Sequence, residues 1–161
     1  MAAARYDHAV AVLDGKLYAV GGYTHDDDVL SSVERYDPAV GAWEAVAPMA
    51  AARSDHGVAV LDGKLYAVGG FDGGRLSSVE RYDPTANAWE EVAPMMAARD
   101  DLAVAVLDGK LYAVGGRNYD GFLSSVERYD AATNAWEAVA PMATARDELA
   151  VAVLNCTPWE A

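Results

Sequence analysis

The sequence has few of the residues from which disulfides, metal centres and membrane spans are built. Its 161 residues include one cysteine, Cys156, and three histidines. A single cysteine excludes an internal disulfide and is typical of a reducing compartment. Uninterrupted apolar runs are much shorter than the roughly 20 residues that a membrane-spanning helix needs. Residues 1–5 lead into charged residues without an apolar segment, so we predict no signal peptide and a cytoplasmic location.

Basic residues are also scarce. Lysine and arginine together number 12, against 25 aspartates and glutamates, which gives a formal net charge of −13. Nucleic acids and anionic membrane surfaces are bound through clusters of lysine and arginine. The composition therefore predicts no nucleic-acid partner and no membrane partner.

What the sequence has in abundance is internal repetition. The motif LDGKLYAVGG stands without change at residues 13–22, 61–70 and 107–116. The motif LSSVERYD follows at residues 30–37, 76–83 and 123–130, and a Trp-Glu pair begins at Trp43, Trp89 and Trp136. The chain therefore consists of three copies of one unit, and residues 143–161 begin a fourth.

Each copy has the pattern of four short β-strands and no helix. In the first copy we predict strands over residues 8–13, 16–20, 32–36 and 42–46. Asp14-Gly15 is a two-residue hairpin signal between the first two strands, and Gly21-Gly22 ends the second strand. Four-stranded units of this length that stack around an axis are the blades of a β-propeller.

Paired glycines after an apolar strand, then Tyr36, then Trp43 after a short turn, resemble the kelch repeat. The pattern recurs in register and covers nearly the whole chain. The resemblance implies an all-β fold of kelch-type β-propeller blades, with three four-stranded antiparallel blades plus one extra strand. Such a chain is an incomplete, open propeller or half of a six-blade assembly. We predict one kelch-repeat domain over residues 1–161, with blades near 5–49, 50–95 and 96–142.

The fourth copy stops early. Residues 150–154 read AVAVL, but Asn155 then stands where the other copies have the aspartate of Asp-Gly. In many kelch proteins a lone last strand completes the first blade, yet residues 9–13 already provide that strand here. We interpret the sequence as the C-terminal part of a longer kelch protein, or as a chain that forms a homodimer if it is complete.

Residues that are identical in every copy are interpreted as scaffold. Tyr36 and Trp43, with their copies, are expected to pack between adjacent blades. Glu34 and Arg35 lie in the middle of a strand, where buried charges must be paired. We therefore expect a structural ion pair or hydrogen-bond network there.

The copies differ in length at one place, between the paired glycines and Leu-Ser-Ser. This variable loop covers residues 23–29, 71–75 and 117–122. Loops that vary on a rigid scaffold often carry the binding residues. The predicted partner-binding residues from these loops are Tyr23, His25, Phe71, Arg75, Arg117, Tyr119 and Phe122.

In an up-and-down blade, the variable loops share one end with the connections between blades. Those connections carry Arg5, Arg53, Arg99 and Arg146. In kelch adaptors of cullin ubiquitin ligases, arginines at this place line the pocket for a partner peptide, and the resemblance implies the same role here. Arginine suits carboxylates, which favours an acidic peptide. The alternative is that each arginine is bound to a neighbouring acid or caps a loop.

Catalytic and metal-binding patterns are weak. Residues 25–28, His-Asp-Asp-Asp, carry oxygen ligands of the kind that suits Ca²⁺, but their spacing differs from that of an EF-hand and favours a solvated loop. His8 and His56 become Leu102 and Leu149 in the later copies, which argues against a ligand or catalytic role. We predict that the protein is not an enzyme and has no cofactor and no metal.

The function predicted from the resemblance is a protein–protein interaction module. It would recognise a substrate or partner, a protein or peptide, through the face of variable loops and connections, for a cullin ubiquitin ligase. The alternative is a structural kelch protein that binds actin or the cytoskeleton. A kelch-fold enzyme is the third and weakest interpretation.

Overall fold

The computed structural model describes residues 4–26 and 28–152, and every regular element in them is a β-strand. The first sheet contains β1 (Ala9–Leu13), β2 (Lys16–Val20), β3 (Val33–Asp37) and β4 (Ala42–Val46). The second contains β5 (Gly57–Leu61), β6 (Lys64–Val68), β7 (Val79–Asp83) and β8 (Ala88–Val92). The third contains β9 (Ala103–Leu107), β10 (Lys110–Val114), β13 (Val126–Asp130) and β14 (Ala135–Val139). A small hairpin joins β11 (Arg117–Asn118) to β12 (Gly121–Phe122).

Each four-stranded sheet is an antiparallel meander, and in the third sheet β10 pairs with β13 because β11 and β12 form the separate hairpin. The strands predicted for the first copy are confirmed to within one residue at each end. The fold class is confirmed as well: three propeller blades stand side by side and the arc that they form is open. Residues 143–152 contain no strand, and the rest of the extra strand predicted for the fourth copy lies outside the described residues.

The Asp-Gly turns explain why the first two strands of each blade pair directly with each other. Asp14 and Gly15 have φ values of 50° and 71°, and the copies at Asp62-Gly63 and Asp108-Gly109 are nearly the same. Positive φ at both central residues defines the type I′ turn, whose twist matches that of two antiparallel strands. Aspartate tolerates this conformation and glycine favours it, so the sequence fixes the register from Leu13 opposite Lys16 onward.

The alternation of side chains gives each sheet two faces. We call the face that carries the third-strand tyrosine and the fourth-strand tryptophan the upstream face; in the first blade it holds Val12, Tyr36 and Trp43. The opposite, downstream face holds Leu13 and Tyr18. In both junctions between blades, a downstream face packs on the upstream face of the next blade.

These junctions form the core. In the first, Tyr18 lies against Tyr82 with ring centroids 5.8 Å apart, and Tyr82 lies 5.2 Å from Trp89. The second junction repeats the arrangement with Tyr66, Tyr129 and Trp136. The predicted packing of tyrosine and tryptophan between blades is therefore confirmed wherever two blades meet.

Each junction also has a set of hydrogen bonds. Trp89 Nε1 donates to the carbonyl oxygen of Ala47 at 2.9 Å, and the Ala47 amide donates to Asn87 Oδ1 at 3.0 Å. The Tyr82 hydroxyl donates to the same oxygen of Asn87 at 2.8 Å. Trp136, Ala93, Asn134 and Tyr129 make the same three bonds at the second junction. The repeated residues therefore join the blades as well as forming them.

Within the described part of the chain, no helix has the length and apolar character required to cross a membrane.

Candidate partner-binding face

The variable loops and the connections between blades lie at the same end of the strands, along one rim of the arc. The backbones of Tyr6 and Tyr23 exchange hydrogen bonds of 3.1 and 2.8 Å, and those of Ser54 and Phe71 exchange bonds of 3.0 and 2.9 Å. Asp100 and Arg117 form the third such pair. This placement confirms the expected topology. We call the surface formed by residues 4–8, 53–56, 99–102, 145–148 and the variable loops the loop face.

The connections are also bonded to one another. The amide of Asp55 donates to the carbonyl of Asp7 at 3.1 Å, and the amide of Asp101 donates to the carbonyl of Asp55 at 2.9 Å. Glu148 continues the series by donating to Asp101 at 3.0 Å. All four residues have positive φ, between 46° and 52°. The connections therefore follow one repeated path, and residues 146–148 of the fourth copy share it.

The arginines of the connections point into the blades. Arg53 is fully buried, and its Nη1 donates to the carbonyl of Gly69 at 2.8 Å. Its Nη2 donates to Glu80 Oε1 at 2.8 Å, and Ser78 accepts two further bonds. Arg99 is equally buried and donates in the same way to Gly115, Ser125 and Glu127. Arg5 repeats the pattern with Gly21, Ser32 and Glu34.

Glu80 and Glu127 also bind the backbone of the connection that carries their arginine partner. Glu80 accepts hydrogen bonds from the amides of Ala50 and Ala51, at 2.7 and 2.9 Å. Glu127 accepts in the same way from the amides of Met96 and Ala97. The ion pair that the mid-strand glutamate was expected to make is thus present, and its partner is the arginine of the connection. Arg35 instead pairs with Glu44 on the surface of its own sheet.

These contacts place three of the predicted binding arginines in the scaffold. The guanidinium groups of Arg5, Arg53 and Arg99 have their charge matched inside the fold, so we do not include them in the loop-face surface offered to a partner. These arginines do bind acids, but each acid is the mid-strand glutamate of the following blade and not the acid that neighbours the arginine in the sequence. Arg146 differs, because it is exposed and makes no ion pair within residues 4–26 and 28–152.

Aromatic side chains stand exposed on the loop face. Tyr119 is 72% exposed and Phe122 63%, both in the third variable loop. Tyr6 is 45% exposed and stacks on Tyr23 with ring centroids 5.3 Å apart. Phe71 is half-buried. Tyr6 is not among the residues predicted from the sequence, because the prediction for the connections covers only their arginines.

A network of charged residues joins the second and third loops. Arg75 Nε lies 3.0 Å from Asp100 Oδ1, and Arg117 Nε lies 3.2 Å from the same oxygen. Arg117 Nη2 reaches Asp101 Oδ2 at 2.8 Å. The Arg75 guanidinium carbon also lies 4.9 Å from the centre of the Tyr119 ring, and the Tyr119 hydroxyl accepts a bond from the Arg75 amide. The network holds Tyr119 in place and pairs both arginines with the carboxylates of Asp100 and Asp101.

Acidic residues crowd the rest of the face. Burial and the nearby Asp55 carboxylate raise the pKa of Asp101 to about 6. Burial also raises the pKa of Asp55. The described acids of the loop face are Asp7, Asp26, Asp28, Asp55, Asp72, Asp100, Asp101, Asp120, Asp147 and Glu148. They outnumber its exposed or half-buried arginines, which are Arg75, Arg117 and Arg146.

His25 is exposed in the first variable loop, beside Asp26 and Asp28. Thr24 Oγ1 accepts hydrogen bonds from the amides of both aspartates at 3.3 Å, which shapes the turn. In the described ranges, no group of three or more histidine, cysteine, aspartate or glutamate side chains is arranged to hold a metal ion.

Comparisons with known proteins agree with this architecture. The family described as the Kelch motif matches residues 4–50, 52–96 and 98–143. Human Kelch repeat and BTB domain-containing protein 13 is 56% identical over 45 residues, which are 28% of this chain and 10% of that protein. Human Kelch-like protein 35 is 49% identical over 47 residues, which are 28% of this chain and 8% of that protein.

Two further similarities extend the comparison. An F-box/kelch-repeat protein of Arabidopsis thaliana is 50% identical over 40 residues, which are 25% of this chain and 11% of that protein. The solved structure of YjhT superposes with a TM-score of 0.76 and 17% identity, over 86% of this chain and 51% of that one. These curated relatives are thus matched over only about a tenth of their length and the solved structure over half, and at that identity YjhT shows the fold alone.

Proposed function

This chain belongs to the kelch-repeat family, and from that premise we propose that it binds a protein partner through its loop face. The family and its BTB-kelch relatives support a protein-interaction module, and kelch repeats are in general interaction scaffolds. One observation carries the choice of face. The residues that repeat in every copy are used in the junctions, whereas the one segment whose length changes between copies lies at one end, where Tyr119 and Phe122 are exposed. Catalysis is not part of the proposal.

The chemistry of the face favours a partner segment with lysine or arginine beside an apolar side chain. Exposed tyrosine and phenylalanine provide apolar contact area at low cost in conformational entropy. The surrounding acids, which exceed the available arginines, attract cationic groups and repel carboxylates. An acidic peptide, which the connection arginines alone would favour, fits less well because three of those arginines already bind glutamates.

We expect the double variant Tyr119→Ala, Phe122→Ala to lose most partner binding while remaining folded. Central aromatic contacts often contribute about 2 kcal/mol or more each to binding, so the yield of captured partner should fall at least about tenfold. Both side chains are exposed, so the melting temperature should change little. The measurement is affinity capture from lysate with quantitative mass spectrometry, with circular dichroism on the purified variant.

The matched control is Val40→Ala. Val40 is 74% exposed in the turn between β3 and β4, at the opposite end of the blade from the variable loops. This variant should retain the partner set of the wild-type chain. From both proteins, the bound partners should elute as the salt concentration rises, because salt screens the attraction between surface charges. Equal capture by the control and the double variant would contradict the choice of face.

The finer role that we propose is substrate recognition for a cytoplasmic cullin ubiquitin ligase. It is supported by the resemblance of the repeats to those of BTB-kelch adaptors, and by relatives whose names join kelch repeats to a BTB or an F-box domain. The single cysteine is consistent with a reducing compartment. The role requires that the natural protein also contains such a domain.

The finer role has its own test. The natural product should migrate well above 17.0 kDa on a blot, and a cullin should appear among the proteins captured with it. A natural product of 17.0 kDa that captures partners but no cullin would reject the ligase role and leave the binding role standing.

A further inference from the structure

We infer that a second copy of this chain docks on the ends of the arc, so that two copies close a six-blade ring. In that ring the upstream face of the first blade of one copy packs on the downstream face of the third blade of the other. The inference concerns the two outer faces of the arc and does not rest on the function proposed for the loop face.

The downstream face of the third blade exposes a residue that is buried at both internal junctions. Leu13 and Leu61 are each only 3% exposed, because the next blade covers them. Leu107 is the third copy of the same leucine and is 45% exposed. Tyr112 is likewise half-buried, whereas its equivalents Tyr18 and Tyr66 are buried. This face therefore has the composition of a junction without the blade that would cover it.

The upstream face of the first blade is uncovered in the complementary way. Val10 is 49% exposed and Val12 63%, whereas the equivalent valines of the second and third blades are partly buried against the preceding blade. Tyr36 and Trp43 keep the tilted arrangement of the internal pairs, with ring centroids 5.4 Å apart. The Tyr-Trp pair that the upstream face contributes to a junction is thus present on the first blade with the geometry of the internal pairs.

The two outer faces are the same two halves that meet at the internal junctions. In the proposed contact, Tyr36 would lie against Tyr112 of the second copy as Tyr82 lies against Tyr18. Trp43 Nε1 would donate to the carbonyl of Ala140, as Trp89 Nε1 donates to that of Ala47. Large exposed apolar faces of this kind are unusual in monomers.

Length and symmetry favour a second copy as the occupant. This chain covers 51% of the YjhT chain, so two copies supply about the length of that one chain. Propellers have typically four to eight blades, and three blades from each copy give six. A two-fold axis makes both new junctions identical, so the head-to-tail contact closes after two copies. In the ring, residues 5–7 of the second copy replace residues 146–148 on the path that the connections share, because the two segments are equivalent in the repeat and Glu148 bonds to the preceding connection as Asp55 and Asp101 do.

One residue departs from the junction pattern. Gly41 stands where Asn87 and Asn134 accept a backbone hydrogen bond from the preceding blade. The φ of Gly41 is 71°, and a Cβ added there would contact nothing within 4 Å. Asn87 and Asn134 themselves have φ values of 47° and 50°. Gly41→Asn should therefore add the missing acceptor to each intermolecular junction without disturbing the single chain.

The test is sedimentation velocity with light scattering on the purified 161-residue chain over a range of concentrations. We expect a dimer of twice 17.0 kDa, and Gly41→Asn should lower its dissociation constant about tenfold or more. The control Gly63→Asn, at a turn of the middle blade with the same φ of 71°, should leave the constant unchanged. Trp43→Ala and Leu107→Asp should each give a folded monomer.

A chain that remains monomeric at all concentrations, with and without Gly41→Asn, would overturn the inference. So would a continuous series of larger oligomers, because the ring must close at two copies. If Leu107→Asp fails to fold, Trp43→Ala on the opposite outer face decides the question. A dimer that Trp43→Ala leaves intact would show that another surface is used.

Discussion

Replacing Arg53 with alanine is expected to lower the free energy of unfolding by about 3–5 kcal/mol. The substitution leaves the Glu80 carboxylate, whose side chain is 3% exposed, without its cation inside the fold. It also removes the donors for the Gly69 and Ser78 carbonyls. Urea unfolding followed by circular dichroism measures the change, and partial unfolding at 37 °C would also be consistent with it.

The matched control is Arg81→Ala. Arg81 pairs with Glu90 on the sheet surface, where the two side chains are 28% and 58% exposed. Exposed pairs contribute about 0–1 kcal/mol to stability. If Arg53→Ala destabilises no more than this control, the arginines of the connections are not scaffold, and their role in partner binding returns to consideration.

The second large effect is a loss of stability in acid caused by His56. This residue is buried in the connection before β5, and burial, together with the charge of Arg53 and the neighbouring His8, lowers its pKa to about 3. In the unfolded chain the ordinary value is 6.5. Below pH 6.5 the unfolded state therefore binds a proton that the folded state does not. Stability falls by up to about 1.4 kcal/mol per pH unit until the folded pKa is reached.

The variant that isolates this effect is His56→Leu, since Leu102 occupies the same place in the next repeat. The difference in unfolding free energy between the variant and the wild type should grow by roughly 2–3 kcal/mol from pH 6.5 to pH 4.5. Asp101 acts in the opposite direction, because its raised pKa of about 6 favours the folded state as pH falls toward 3.8, but it is present in both proteins and cancels. His25→Leu, on an exposed loop, is the control. Parallel pH profiles for wild type and His56→Leu would contradict the assignment.

The sequence predicts the blades because local signals and the repeat agree. Asp14-Gly15 determines the turn, the alternating valines determine the strand, and each signal occurs three times in the same order. A chance pattern would not recur three times, and the four strands predicted for the first copy agree with the structure to within one residue at each end. The junction aromatics followed from the same repetition.

The ion pairs of the connections were harder to predict. Arg53 and Glu80 are 27 residues apart and meet only because the connection folds back over β7. The pattern did offer a signal, since each copy has one connection arginine and one mid-strand glutamate that neither the turns nor the aromatic packing explain. The sequence favours a structural pair for the glutamate but allows two roles for the arginine, because a pattern of residues contains no information on burial.

The loop face is the part that repetition cannot specify. Tyr6, Tyr119 and Phe122 each occur in one copy only, so no second copy supports an inference about their exposure. Their placement depends on how the connections and the variable loops bond to each other at the loop face, as between Asp100 and Arg117. These are long-range contacts between segments of differing length, which a pattern of residues does not encode.

The most direct test of the loop face exchanges one variable loop for another from the same chain. Residues 117–122 are replaced by Phe-Asp-Gly-Gly-Arg, the sequence of residues 71–75, and the chain is compared with wild type by quantitative affinity capture at equal concentration. The exchanged chain should keep its melting temperature to within a few degrees and lose at least about tenfold of the captured partner. Capture of the same partners in the same yield by a folded exchanged chain would contradict the account.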